Sequence, residues 1–231
     1  MSTEQQELAE AVATWLHYKT LTGLRELLNE ASMTLPIAEF LAARHGREVT
    51  AEKAHPLFVT GAKGRPRQID FVRMRRGENA WKAAYECKFN TDKEALIVAD
   101  LCRLVCLAQC HGIGTPDLFF VFAGKFKAGE RLINSRVNTG KNSRLSFFEN
   151  LLLEGSDDKP NARNSFRLET LAARQKLVFR EFSSTYNASL PSVIVTELKG
   201  WATSGTVACG IWRVTREKGS RLLSSADLDT Q

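Results

Sequence analysis

Apolar residues recur at helical spacing from the start of the chain: Leu8, Val12, Trp15 and Leu16, then Leu21, Leu24, Leu27 and Leu28. A period near 3.6 predicts helix over residues 3–30, with Gly23 a point where it divides. "TLPIAEFLAARHG" predicts another helix, with Pro36 at its first position and Gly46 at its stop. "HPLFVTGAKGRPRQ" reads as a short strand, then a loop rich in Gly, Lys and Arg. "RQIDFVRMRRGENAWKAAYECKF", Arg67 to Phe89, predicts a β-hairpin turning at "RRGEN". "TDKEALIVADLCRLVCLAQCHGIG" predicts a long helix, with Thr91 as N-cap and Gly112 near its end. "DLFFVFAGK" is a buried strand, "SRLSFFENLLLEG" a helix, "SDDKPNARNS" a loop, and residues 166–178 helical. "SVIVTELKG" and "TVACGIWRVT" are strands around a "GWATSG" turn, and the polar tail from Lys218 is expected to be loose. This order implies an α/β fold: a sheet of mixed direction with helices on its faces.

The hairpin breaks its own pattern. Asp70 interrupts the first strand, and Glu86 and Lys88 interrupt the second. With the turn centred near Glu78, Asp70 lies eight positions before it and Glu86 eight after. Such residues are cross-strand neighbours on one face, with Cβ atoms about 5 Å apart. Alternation puts Lys88 on the face of Glu86 and turns Cys87 away. Tyr85, Cys87 and Phe89, with Ile69 and Phe71 opposite, are then expected to pack the core. Adjacent carboxylates repel, so a compensating charge is needed. Lys88 is one source. A divalent cation is a stronger one, because Mg²⁺ takes hard oxygen ligands and commonly uses one or two carboxylates. A lysine beside it can orient a water or stabilise phosphate charge. The competing reading is an ordinary hairpin with a Glu86–Lys88 surface ion pair.

"ID" at Ile69–Asp70 and "ECK" at Glu86–Lys88, with fifteen residues between the two acids, resemble the signature of the PD-(D/E)XK nuclease superfamily. The resemblance covers roughly residues 24–124, and isoleucine stands where the family name has proline. It implies a restriction-endonuclease-like core, a mixed central sheet flanked by helices, with an α+β C-terminal extension. It also implies Mg²⁺, with Mn²⁺ as a substitute, held by Asp70, Glu86 and the backbone carbonyl of Cys87, with Lys88 serving the nucleophile. The family places a further glutamate on the preceding helix: Glu30 in "NEA" is preferred, and Glu26 and Glu39 compete. The expected organisation is an N-terminal helical segment (1–23), the nuclease core (24–124), an extension of the same domain (125–217) and the tail (218–231). The implied activity is phosphodiester hydrolysis in nucleic acid, DNA favoured over RNA. The alternative is a catalytically silent module of the same fold that binds nucleic acid or protein. Many relatives cut as dimers, so a homodimer is allowed.

Composition narrows the partners. The 231 residues are 43% apolar and 25% charged, as in soluble globular proteins. The net charge is +6 and the isoelectric point near 9.2, compatible with a polyanion. Residues 1–60 carry more acid than base, whereas Lys125, Lys127, Arg131, Arg136, Lys141 and Arg144 face one acid, Glu130. Lys63, Arg65 and Arg67 lead into Asp70, and Arg136, Lys141 and Arg144 offer a second clamp; such contacts supply affinity without sequence choice. "LFFVFA" and "LVCLA" are too short to span a bilayer, so no membrane is expected. The opening "MSTEQQELAEAVATW" has neither a basic segment nor an apolar run, so no secretory leader is expected.

Five cysteines, an odd count, read as reduced thiols in a cytoplasmic protein. Cys102, Cys106 and Cys110 form one helical stripe spanning about 12 Å, too long for one metal, so they read as core. The absence of H-x-x-x-H, paired C-x-x-C and GxxxxGK[ST] argues against a zinc site or a bound nucleoside triphosphate. Asp100 and Arg103 read as a structural i,i+3 pair, and His55 as a loop or core residue. Trp201 and Trp212 suit either base stacking or the core.

Overall fold

Helix α1, Glu4–Leu21, starts where Thr3 accepts the Gln6 N–H at 3.2 Å, and buries Leu8, Val12 and Leu16. Just past its end Gly23 adopts φ +77°. A computed structural model describes residues 2–24, 28–58, 67–89, 94–125, 163–171 and 173–229. Helix α2, Glu30–His45, begins six residues before the expected Pro36. Asn29 and Ser32 form a reciprocal capping box there, satisfying backbone donors that Pro36 has no side chain to reach. Pro36 therefore lies inside the helix, buried, and Glu30 falls in the first turn.

Seven strands form one sheet in the order β1-β2-β3-β4-β8-β7-β5. They are β1 (Val49–Ala54), β2 (Gln68–Met74), β3 (Trp81–Phe89), β4 (Asp117–Lys125), β5 (Arg163–Arg167), β7 (Val193–Ser204) and β8 (Val207–Arg216). β6 (Leu190–Pro191) and β9 (Leu222–Leu223) make a separate small ladder. β3 and β4 run parallel and the other neighbours antiparallel, so the fold is α/β with a mostly antiparallel mixed sheet. The parallel pair needs a crossover. Helix α3, Glu94–Leu107, supplies it. Helix α4, Ala173–Tyr186, packs beside α3.

Two cores sandwich the sheet. Under α1 and α2 lie Leu8, Val12, Ile37, Phe71, Tyr85 and Cys87. Under α3 and α4 lie Ile97, Leu101, Cys102, Phe120, Phe179 and Trp212. β4 is apolar without alternation because it feeds both cores, Phe119 and Val121 on one side, Phe120 and Phe122 on the other. Strands β7 and β8 of the extension continue the sheet from β4, and α1 lies across β7. Among the described residues no helix is long and apolar enough to cross a membrane.

Several local expectations give way to tertiary pairing. The strand expected in "HPLFVT" lies earlier, at Val49–Ala54, an exposed edge whose residues carry no alternating signal. His55–Phe58 instead turns inward, both rings buried and stacked at 4.1 Å. Residues 163–167, expected as loop and helix, form β5 because β7 offers them a partner from Arg163↔Glu197 to Arg167↔Val193. Helix α4 accordingly starts and ends later than 166–178. β7 runs through the expected "GWATSG" turn to Ser204, and the reversal falls on Gly205 at φ +54°. Helix α3 stops at Leu107, short of Gly112. The tail is packed: Leu223 and Leu228 are buried, and Asp229 accepts from Arg180 at 2.6 Å. Thr91 and the expected helix "SRLSFFENLLLEG" lie outside the described residues.

Candidate active site

The hairpin register centres where the turn residues put it. Gly77 at φ +74° and the Arg75 N–H on the Ala80 carbonyl at 2.7 Å close the loop. Phe71 then pairs with Tyr85, Val72 with Ala84 and Arg73 with Ala83. One further step would set Asp70 against Glu86, but the ladder ends at Phe71↔Tyr85 and the strands part. Asp70 bridges the gap: its Oδ2 accepts the Cys87 N–H at 2.7 Å, and its carboxyl lies beside that of Glu86. Ile69 was expected beside Phe71 and Tyr85. It joins the α3-side core, while Phe71 joins the α1/α2 side, so alternation breaks at Asp70. Cys87 is buried facing α1 and α2, away from Glu86. Backbone N–H and C=O of one residue leave a strand on the same side, so the Cys87 carbonyl faces the Asp70 gap.

Helix α3 crosses over the Glu86 and Lys88 side of β3 and adds two charges. Arg103 Nε donates to Glu86 Oε1 at 2.7 Å, and its Nη2 donates to Asp100 Oδ1. Lys88 Nζ sits 3.0 Å from Glu30 Oε2 and 3.3 Å from Asp100 Oδ2. Glu86 and Asp100 are fully buried, Lys88 and Arg103 nearly so, and Glu30 stands at the rim with 46% of its side chain exposed. Four carboxyl groups thus face two side-chain cations.

Burial and crowding show in the ionisation of each group. Burial pushes Asp70 up, against the pull of the Cys87 N–H. Burial pushes Glu86 well up, against the Arg103 guanidinium and with the help of Asp100 and Asp70. Burial carries Asp100 up to about 6 despite Arg103 and Lys88. Burial works to lower Lys88, but Asp100 and Glu30 outweigh it and keep the ammonium charged.

No family model, curated protein or solved structure matches the chain.

The structure therefore carries the site by itself. It brings Asp70, Glu86, Lys88 and Glu30 together, from two strands and a helix distant in sequence. Glu39 points to solvent from α2, and Glu26 lies outside the described residues. So do Lys63, Arg65, Arg136, Lys141 and Arg144. Arg67 is exposed, its guanidinium 5.8 Å from the centre of the Tyr186 ring. Asp100 and Arg103 do pair at i,i+3, but they also join the site, a role their spacing did not reveal. The available signal was their charge inside "IVADLCRLVCL", an otherwise apolar helix.

The oxygen-rich donor set, four carboxyl groups and a backbone carbonyl, fits a divalent cation in kind. Asp100 Oδ2 is buried, with Lys88 Nζ 3.3 Å away. Among the described residues, no three His, Cys, Asp or Glu side chains are already grouped as metal ligands. Glu86 is instead engaged by Arg103.

His55, Cys102, Cys106, Cys110 and Trp212 are buried in the core, and Trp201 packs half-buried against it.

Proposed function

We propose that this chain is a metal-dependent nuclease with a restriction-endonuclease-like core, hydrolysing phosphodiester bonds in nucleic acid, DNA favoured over RNA. One observation carries the reading: where β2 and β3 part, Asp70 and Glu86 stand side by side, and Lys88 lies beside them between Glu30 and Asp100. An accidental hairpin ion pair would leave Glu86 paired with Lys88 at the surface. Here Glu86 is buried and Lys88 pairs elsewhere.

Asp70, Glu86 and the Cys87 carbonyl are the groups that would hold Mg²⁺ or Mn²⁺. When bound, the ion supplies an acidified water and charge compensation at the phosphate. The remaining work falls to side chains. Lys88, kept protonated by Asp100 and Glu30, presents N–H donors that orient a water or meet a non-bridging phosphate oxygen. Glu30 fixes that ammonium from the rim, and the Cys87 N–H fixes the Asp70 carboxyl. Arg67, with Lys63 and Arg65 before it, supplies cations next to Asp70 in sequence, suited to backbone phosphates.

The Arg103–Glu86 pair favours a second reading, a module of the same fold that binds nucleic acid without cutting it.

A cleavage assay separates the two. Supercoiled plasmid, linear duplex, single-stranded DNA and RNA are incubated with Mg²⁺, Mn²⁺ or EDTA, beside Lys88→Ala. Metal-dependent cutting that the variant lacks is the expected result. Intact substrates throughout, with no heat of metal binding, would leave the silent module.

A further inference from the structure

The Glu86 carboxylate is already in use. Its Oε1 takes the Arg103 Nε–H at 2.7 Å, with 2% of the Glu86 side chain and 13% of the Arg103 side chain exposed. A guanidinium and a metal ion cannot both sit on that lone pair, so a metal that takes Glu86 through Oε1 exchanges places with Arg103.

The surroundings are built for such an exchange. Arg103 has a second anchor on the same helix, Asp100, which holds Nη2 independently of Glu86. Asp100 Oδ2 faces Lys88 Nζ at 3.3 Å, so the far side of the same carboxylate stays held if the guanidinium shifts. The Arg103 carbonyl lies 3.0 Å from His55 Nε2, so the backbone beneath the side chain is pinned and only the side chain need move. Four carboxyl groups stand against two side-chain cations with Arg103 in place, an oxygen-rich set suited to a divalent ion.

Resting on the nuclease reading above, we propose that Arg103 stands in for the divalent cation on Glu86 in the free protein and cedes the carboxylate when metal binds, keeping its hold on Asp100. Arg103 is then a positioning residue that sets metal affinity: it offsets the repulsion between the buried acids before loading, and a metal that takes Oε1 displaces it.

The test is a titration of wild type, Arg103→Gln and Asp70→Asn with Mn²⁺, free Mn²⁺ being read by its paramagnetic resonance. Glutamine is neutral and no longer competes as a cation. Arg103→Gln is expected to bind Mn²⁺ about tenfold more tightly or better, as removal of a unit charge near a divalent ion in a buried site requires. Asp70→Asn is expected to lose the binding. Equal or weaker binding by Arg103→Gln, with binding in wild type intact, overturns the stand-in role and leaves the metal site standing. No Asp70-dependent binding in either protein overturns the metal reading and this inference together.

Because Arg103→Gln removes one partner of a buried pair, a second readout uses the wild-type protein. The arginine Nε–H resonance absent from Arg103→Lys is that of Arg103. It is expected to move on saturation with Mg²⁺, and a resonance that stays in place while Mg²⁺ binds overturns the exchange.

Discussion

Arg103 Nε donates to Glu86 Oε1 at 2.7 Å, fastening helix α3 to strand β3 beside the paired carboxyls of Asp70 and Glu86. Glu86 is fully buried and Arg103 nearly so, and truncating Arg103 strips the buried carboxyl of its 2.7 Å donor. Arg103→Ala is expected to lower the free energy of unfolding by about 3–5 kcal/mol. The double variant Glu86→Gln/Arg103→Ala should lose less than the two single changes add up to. Urea unfolding of the four proteins measures this, and strict additivity would refute the coupling.

Lys88 and Glu30 separate function from stability. Glu30 is about half exposed, so Glu30→Gln is expected to change stability by less than about 1 kcal/mol. It frees one side of the Lys88 ammonium and should slow metal-dependent cleavage. Lys88→Ala should slow it further, by about 10²-fold or more, with the fold retained. Parallel cleavage rates and thermal melts decide; a Glu30→Gln protein that melts early but cuts normally would contradict the assignment.

His55 predicts a pH dependence. It is fully buried, its Nδ1 accepting the Leu57 N–H and its Nε2 donating to the Arg103 carbonyl, so the neutral ring satisfies both contacts. Burial lowers its pKa from 6.5 to about 4. The unfolded chain therefore binds a proton between those values while the folded one does not. This contribution is present above pH 6.5 and is lost as pH falls towards 4, on the order of 3 kcal/mol in total. Stability measured from pH 7 to 4 should fall less steeply in His55→Gln than in wild type.

Gly200 predicts a packing cost. It lies at the β7 bulge, where Gln6 brackets the strand by donating to the Trp201 carbonyl at 3.0 Å and accepting its N–H at 3.1 Å. A Cβ at Gly200 would stand 2.3 Å from the Gln5 carbonyl oxygen and 2.6 Å from its carbon. Backbone cannot rotate away as a side chain can. Gly200→Ala is expected to cost about 1–3 kcal/mol by lifting α1 from the sheet, read as a lower midpoint in urea. An unchanged midpoint would show that α1 docks with slack.

Patterns along the chain carried the local elements. Leu8, Val12 and Leu16 mark α1, the unbroken apolar run marks β4, and Gly77 sits in the hairpin turn. That turn sets the register, and the register sets Asp70 near Glu86, so this much of the site was legible from residues a few positions apart. Capping shows the limit: Pro36 looked like a helix start, yet Asn29 and Ser32 form a better one upstream.

What the sequence by itself determined is set by neighbours in the chain: helix period, strand alternation and turn chemistry. What the tertiary structure decided is everything set by a distant partner. β1 and β5 are strands because β2 and β7 present open ladder groups to them, and their own residues carry no signal of it. Asp100 and Arg103 join the site because α3 lies over β3, where a buried Glu86 needs a counter-charge. A buried charge must be compensated wherever the fold puts it, and only the packed chain says which cation is within reach.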